Sequence, residues 1–577
     1  MHDTVIRGGT IVDGTGKPAF TGDLAIDGGR IAQVGGKAGP ARREIAAEGL
    51  LVTPGWVDVH THYDGQATWD SELAPSSWHG VTTVLMGNCG VGFAPVRRSQ
   101  TDHSDLIGLM ESIEEIPGVA LAEGLKWNWE TFPEYLDALE AMPRTIDVAT
   151  QIPHHPLRVF VMGDRAIRRE PATGDDIQAM RDAVRQGLEA GAFGFTTSRT
   201  NSHKTPTGDM VPGRYSEVDE LLGIGSAFKG LRHGAFGMNS DFDDEAEEFD
   251  WMTRFCKDTG RPVWFLLVDQ PNDTSRWRRM MAGVHKARAA GANVTAQISG
   301  RPVGVLLGID TALNPFSIRP SYQALLKLPV AERMRRVQDP AFRAQVLAEK
   351  PAPEYLKRLS QFRQYIVTAW DRMFPLTDPP NYEPRKEDSI AGIAAREGRS
   401  PDEVAYDYLA ASADRFLFFP VVNYNQDDLG VLQTMLEDDA TLLGLSDGGA
   451  HCSSIIDASV PTWMLMHWSR DRSRGPRLPL ERMVQRQTGD TAAFFGFHDR
   501  GRLATGMKAD VNVIDYQGLK LHVPEVRYDL PLKGRRLVQR AEGYRHTFVA
   551  GVETFANGVH TGAKPGRLVR AGREARS

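Results

Sequence analysis

Residues 55–64 read GWVDVHTHYD. Val57 and Val59 alternate with Asp58, His60 and His62, so an extended segment puts both histidines on one face. Two imidazoles at that spacing can point at one metal ion, and Asp64 sets a carboxylate close behind them. The alternative is a solvated hairpin carrying two surface histidines. The apolar, β-branched flanks argue against it. The pair alone is not decisive, and its meaning comes from the rest of the chain.

Working outward, further strand-like runs lie near 82–87, 146–151, 193–198, 235–239, 263–268, 293–298 and 441–446. Helical patterns such as DDIQAMRDAVRQGLEAG and WRRMMAGVHKARAAG fall between them. With the segment at 57–62 this makes eight strands alternating with helices, which predicts an α/β chain whose residues 55–499 form a (β/α)8 TIM-like barrel. A ninth apolar run, FLFFPVV at 416–422, competes for a place among the eight. The proline-punctuated helical region at about 309–414 reads as an insertion after the seventh strand, a lid or packing element rather than a separate domain. Residues 1–54 and 500–577 carry short strands broken by glycine and aspartate turns, so both chain ends are expected to build one small β-sandwich.

The chain has 577 residues, 41% hydrophobic and 24% charged, ordinary for a globular protein with a large core. A net charge of -7, mild for this length, argues against a general nucleic-acid binder, which would show a basic face. Cys89, Cys256 and Cys452 are too few for a disulfide framework. The opening MHDTVIRGG has no apolar signal core, and no apolar run reaches the length of a membrane span. A soluble, cytoplasmic protein is expected, with no membrane partner.

Reactive groups in such barrels collect at the C-terminal strand ends. Those ends supply His60 and His62 on the first and Cys89 in MGNCG after the second. QIPHH, with His154 and His155, follows the third, TTSRTNSHK the fourth, and GLSDGGAH, with Asp447 and His451, the eighth. Nitrogen, sulfur and oxygen donors together suit Zn2+. A lone cysteine is often a small buried hydrophobe, but Cys89 stands in a glycine-bracketed turn, which favours a ligand role. Asp447 in Ser-Asp-Gly could merely make a turn; its place after an apolar strand with His451 close behind favours catalysis.

GWVDVHTHYD, GVTTVLMGNCGVGFAP, AGAFGFTTS, GLSDGG and KADVNVID together resemble the amidohydrolase superfamily, and within it the D-aminoacylase (N-acyl-D-amino-acid deacylase) branch. The resemblance covers nearly the whole chain apart from 309–414. It implies a metal at His60 and His62, Cys89 as a thiolate ligand, and Asp447 as both ligand and general base. It also implies hydrolysis of an amide by a metal-activated water. The branch carries further histidines after strands five and six. Here those stretches read GAFGMNSDF and VWFLLVDQ, with Asn239 and Val268–Gln270 in their place. One zinc per chain is therefore expected, His154 and Asp269 being outside candidates for extra ligands.

The expected substrate is a small N-acyl amino acid, split into a carboxylic acid and a free amino acid. Candidates for holding it are His154, Arg199, His203, Asn239, Arg301 and His451, the arginines as forks for a carboxylate and Asn239 as a donor to a carbonyl. A solvated loop charge is the plain alternative for Arg199, His203 and Arg301. Another amide is the rival reading: an N-acyl-lysine side chain, a cyclic imide or a xenobiotic amide. A metal-free binding protein on the same fold is the third, opposed by the joint presence of His60, His62, Cys89 and Asp447. Large barrels often self-associate, but no interface signature stands out.

Overall fold

The computed structural model describes residues 1–444 and 446–572. Eight parallel strands follow the expected runs. They are β1 (Trp56–Asp58), β2 (Val81–Met86), β3 (Asp147–Thr150, resumed at Ile152–Pro153) and β4 (Gly194–Arg199). The others are β5 (Ala235–Ser240), β6 (Val263–Leu266), β7 (Val294–Ile298) and β8 (Thr441–Leu443). Their residues are almost all buried, as befits parallel strands covered on both faces by helices. The intervening helices start where the sequence supplies caps. Thr173 accepts from the Asp176 N–H and Asp176 answers it, opening the helix Gly174–Ala190, which stops at left-handed Gly191.

Among the described residues the ladders form two parallel sheets rather than one closed ring. One runs β8-β7-β6-β5-β4 and ends on Ile152–Pro153; the other runs β1-β2 and ends on Asp147–Thr150. Both contain part of β3, so Gln151 is their hinge. At the far edges, Thr61 and Gly448 form an isolated parallel bridge. Beside it the His62 N–H donates to the Gly448 carbonyl at 2.7 Å and the Asp447 N–H to the His60 carbonyl at 3.2 Å. The segments after the first and last strands are thus tied by their backbones.

The run FLFFPVV takes no place among the eight. Leu417–Val422 pairs antiparallel with Val303–Leu307 and with Phe374–Pro375 in a separate three-stranded sheet. The excursion therefore begins and ends with paired strands outside 309–414. It carries its own apolar core, including Leu307, Phe316, Tyr322, Ile366, Leu409 and Phe419.

The two chain ends meet in one nine-stranded sheet. Leu51–Pro54 lies at its centre between His2–Ile11 and Val511–Ile514. Ile6, Ile26, Val52, Val511 and Phe548 pack together there. This sheet is pinned to β3 by a buried charge cluster. The Asp147 carboxylate accepts from Lys508 Nζ at 2.6 Å, from the Arg567 N–H at 2.8 Å, and from Arg500. No helix among the described residues is long and apolar enough to cross a membrane.

Candidate metal centre

The ladder of β1 ends at Asp58, but the extended alternation continues. The Thr61 N–H donates to the Leu85 carbonyl at 3.1 Å, so the backbone of Thr61 faces the sheet while His60 and His62 face inward together. Their rings lie 5.4 Å apart, edge to face. The His60 ring also rests edge-on against Trp264 of β6 at 5.7 Å.

Cys89 is delivered by the turn after β2. Asn88 anchors that turn: its amide N–H donates to the carbonyls of Thr61 (3.1 Å) and Leu85 (3.0 Å), and its oxygen accepts from Gln151 (2.8 Å). Cys89 then adopts φ 53°, a strained left-handed conformation for a residue with a Cβ, which aims the thiol inward. Sγ lies 3.5 Å from His60 Nε2. Donor atoms of His60, His62 and Cys89 all fall within 4.8 Å of one another, buried. Asp447, also left-handed at φ 50°, adds its Oδ1 at 3.6 Å from His60 Nε2 and 3.4 Å from His62 Nε2.

These four side chains fit a soft-to-borderline divalent cation. Burial pushes the Cys89 thiol up to about 12, so it ionises near neutrality only against a positive charge that displaces its proton. Burial holds His60 down to about 4, leaving a neutral imidazole as a ligand must be. Burial also opposes charge on His62, but the Glu114 and Asp447 carboxylates override it and raise that group well above the ordinary range. Asp447 is held ionised below the usual carboxylate range, its burial outweighed by His62 and His60.

Behind the cluster, burial lifts Asp58 to about 7, and the Ser446 hydroxyl donates to its carboxyl. Asp64, fully buried, is likewise lifted to about 7 by burial. It therefore stands beside the cluster as a carboxyl poised near neutrality rather than a standing anion.

The remaining candidates separate into two groups. His203 and His451 are beside the cluster. Burial and the neighbouring charges on His62 and His451 hold His203 down to about 3, and its Nδ1 sits 2.8 Å from the Ser198 hydroxyl at the end of β4. His451 Nε2 lies 3.7 Å from Glu114. Asn239 is half-buried opposite Ser198 on β5.

The other group is already occupied within the protein. His154 uses both nitrogens, on Thr197 (2.8 Å) and on Glu220 (2.9 Å), which Arg158 also engages. Arg199 is paired with Glu248 at 2.8 Å. Arg301 is buried against Asp457 at 2.9 Å and Ser459 at 3.1 Å, with its guanidinium 4.0 Å above the Tyr382 ring. Asp269 stands apart from these: buried after β6, it exchanges backbone hydrogen bonds with Asn423, while its carboxylate Oδ1 has no hydrogen-bond partner.

Beside the cluster, Glu114 escaped the sequence reading, and His155 was named there only as a strand-end histidine without a role. Glu114 ends the helix Gln100–Glu114 and presents its carboxylate to His62 Nδ1 at 3.5 Å and to His451. Its signal was a carboxylate four residues after Met110, on the buried stripe of Leu106, Met110 and Ile113. His155 donates its backbone N–H to the carbonyl of Gly90, next to Cys89. Its Nδ1 accepts from the Gly213 N–H at 3.1 Å, so Nε2 carries the proton, and that atom is buried without a partner.

The sequence and fold have known relatives. Residues 43–555 match the model of the amidohydrolase family. A D-aminoacylase of Alcaligenes xylosoxydans xylosoxydans is 26% identical over 573 residues, covering 98% of this chain and 97% of its own. An N-acyl-D-glutamate deacylase of the same organism is 27% identical, covering 98% and 96%. In structure, the N-acyl-D-glutamate deacylase of Bordetella bronchiseptica, complexed with zinc and a phosphonate inhibitor, superposes with a TM-score of 0.62 at 24% identity, covering 99% of this chain and 100% of that one. The chain belongs to the amidohydrolase family, in its D-aminoacylase branch, and is a metal-dependent amide hydrolase.

Proposed function

We propose that this enzyme deacylates N-acyl amino acids, with one Zn2+ held by His60, His62, Cys89 and Asp447. The observation that carries the reading is the convergence of two imidazoles, a thiol and a carboxylate at the strand ends. A bound ion supplies electrophilic polarisation of the amide carbonyl and acidifies the attacking water. Asp447, kept ionised, takes the water's proton and returns it to the leaving amine. We place a bound acyl amide against His203 and His451 beside the cluster, with the unpartnered His155 Nε2–H as a further donor. We read the two parallel sheets as halves of one (β/α)8 barrel, joined at Gln151 and through Thr61 and Gly448, with the nine-stranded terminal sheet as a second domain. The similarity to D-aminoacylase and N-acyl-D-glutamate deacylase supports N-acyl-D-amino acids as the first substrates to try.

A second reading has a specific observation in its favour. Arg199 and Arg301, the arginines offered as carboxylate forks, are both committed to internal acids. A substrate lacking a free carboxylate, such as an acylated lysine side chain, a cyclic imide or a xenobiotic amide, asks for no such fork. The deciding experiment is a screen of acyl-D-amino acids, their L-enantiomers and their carboxamides with the zinc-loaded enzyme. Turnover confined to the free acids supports the first reading. Equal turnover of the carboxamides supports the second.

A further inference from the structure

We infer that Glu114 is the positioning residue for His62, doing for that histidine what Gln297 does for His60. The inference rests on the metal reading above. A histidine that binds a metal through one ring nitrogen keeps a proton on the other, and an acceptor there fixes both the tautomer and the ring angle. His60 has its acceptor in Gln297, at 2.6 Å from Nδ1. His62 turns Nε2 toward Asp447 at 3.4 Å and Nδ1 toward Glu114 at 3.5 Å. Neither nitrogen of His62 makes a hydrogen bond, and Glu114 is the acceptor that faces Nδ1.

The location of Glu114 supports the assignment. Its side chain is 3% exposed and, among the described residues, pairs with no lysine or arginine; its partners are His62 and His451. It is also the last residue of a fifteen-residue helix, the negative end of the macrodipole, where a carboxylate is disfavoured. A buried carboxyl group in so adverse a position is explained by the imidazoles it faces. The backbone completes the arrangement. The Glu114 carbonyl accepts from the His451 N–H, and Glu115 accepts from the Ser454 hydroxyl. The helix end is thereby sewn to the loop that carries Asp447 and His451, so one residue sets a ligand ring and holds the loop at the mouth of the site.

The test is cobalt binding to metal-free full-length protein, followed by the visible and thiolate-to-cobalt absorption, with folding checked by circular dichroism. Glu114→Ala is expected to bind the same number of equivalents as wild type with the thiolate band retained, at roughly 10–100-fold weaker affinity. Glu114→Gln, whose amide oxygen can still accept from Nδ1–H, is expected to recover most of that loss. If the alanine variant does not fold, Glu114→Asp replaces it and should bind more weakly than Glu114→Gln, because its acceptor is withdrawn by one methylene. Unchanged affinity in the alanine variant, or a glutamine variant no better than alanine, overturns the inference. Loss of one equivalent overturns it in favour of direct ligation by Glu114. Wild type that shows no thiolate-to-cobalt band overturns the metal reading itself, a failure visible before any variant is made.

Discussion

Gln297 Oε1 lies 2.6 Å from His60 Nδ1, joining the seventh strand to the segment after the first. The contact presents His60 Nε2 to Cys89 and Asp447. Gln297→Leu, close to it in volume and without an acceptor, is expected to weaken metal affinity about 10–100-fold while leaving stoichiometry unchanged. Competition against a chelator measures this. Affinity equal to wild type would show that the ring is held by packing on Trp264 alone.

Asp447→Asn keeps the size and polarity of the side chain but removes the base. Turnover is expected to fall by about 10²–10⁴-fold, the range general acid–base catalysis contributes. The circular dichroism spectrum should not change. Steady-state kinetics on whichever amide the substrate screen identifies gives the comparison, and a variant retaining most of its activity would move the base elsewhere.

His154, Glu220 and Arg158 behave as a structural unit and should be separable from the metal. Burial works against the Glu220 carboxylate, but His154 and Arg158 hold it down at about 2. Glu220→Gln leaves Arg158 buried without its counter-ion, a loss of about 3–5 kcal/mol by precedent for broken buried pairs. Denaturant unfolding should show that loss, with zinc per chain unchanged. A parallel drop in zinc in folded protein would return His154 to the list of ligands.

The Asp147 cluster predicts a pH signature in stability. Burial raises the Asp147 carboxyl, but Lys508 and Arg500 more than compensate and hold it at about 2. Its pKa in the unfolded chain is about 3.9, so the folded value is depressed. The stabilisation is therefore fully present above about pH 4 and is lost as pH falls toward 2. The gap in Tm between wild type and Arg500→Met should be constant from neutrality to mild acid and narrow only below about pH 4. A gap that narrows between pH 6 and 7 instead would place the linkage on another group.

Much of this architecture was legible in the sequence because parallel strands buried on both faces leave continuous apolar runs. Cys89 and Asp447 were legible because glycine brackets each of them at the end of such a run. The ninth run was ambiguous for the same reason: Leu417–Val422 is as apolar as its competitors, and only its antiparallel partners distinguish it. The arginines could not be sorted. An arginine past a strand end reads the same whether it meets solvent or an acid 49 or 156 positions away, as Arg199 and Arg301 do. Glu114 was hidden by its helix, since a carboxylate beside an apolar stripe looks like the solvent edge until the far wall is known to be histidine.

Val303 and Val422 are register partners, so the long excursion between them leaves and rejoins the chain at one doorway. The excursion is nevertheless sewn to the site: the Leu306 N–H donates to the Ser454 carbonyl and the Ala312 N–H to the Ser453 carbonyl, on the loop that follows Asp447 and His451. A change of sequence around residues 306–312 therefore reaches, through two backbone hydrogen bonds, the loop that carries Asp447 and His451.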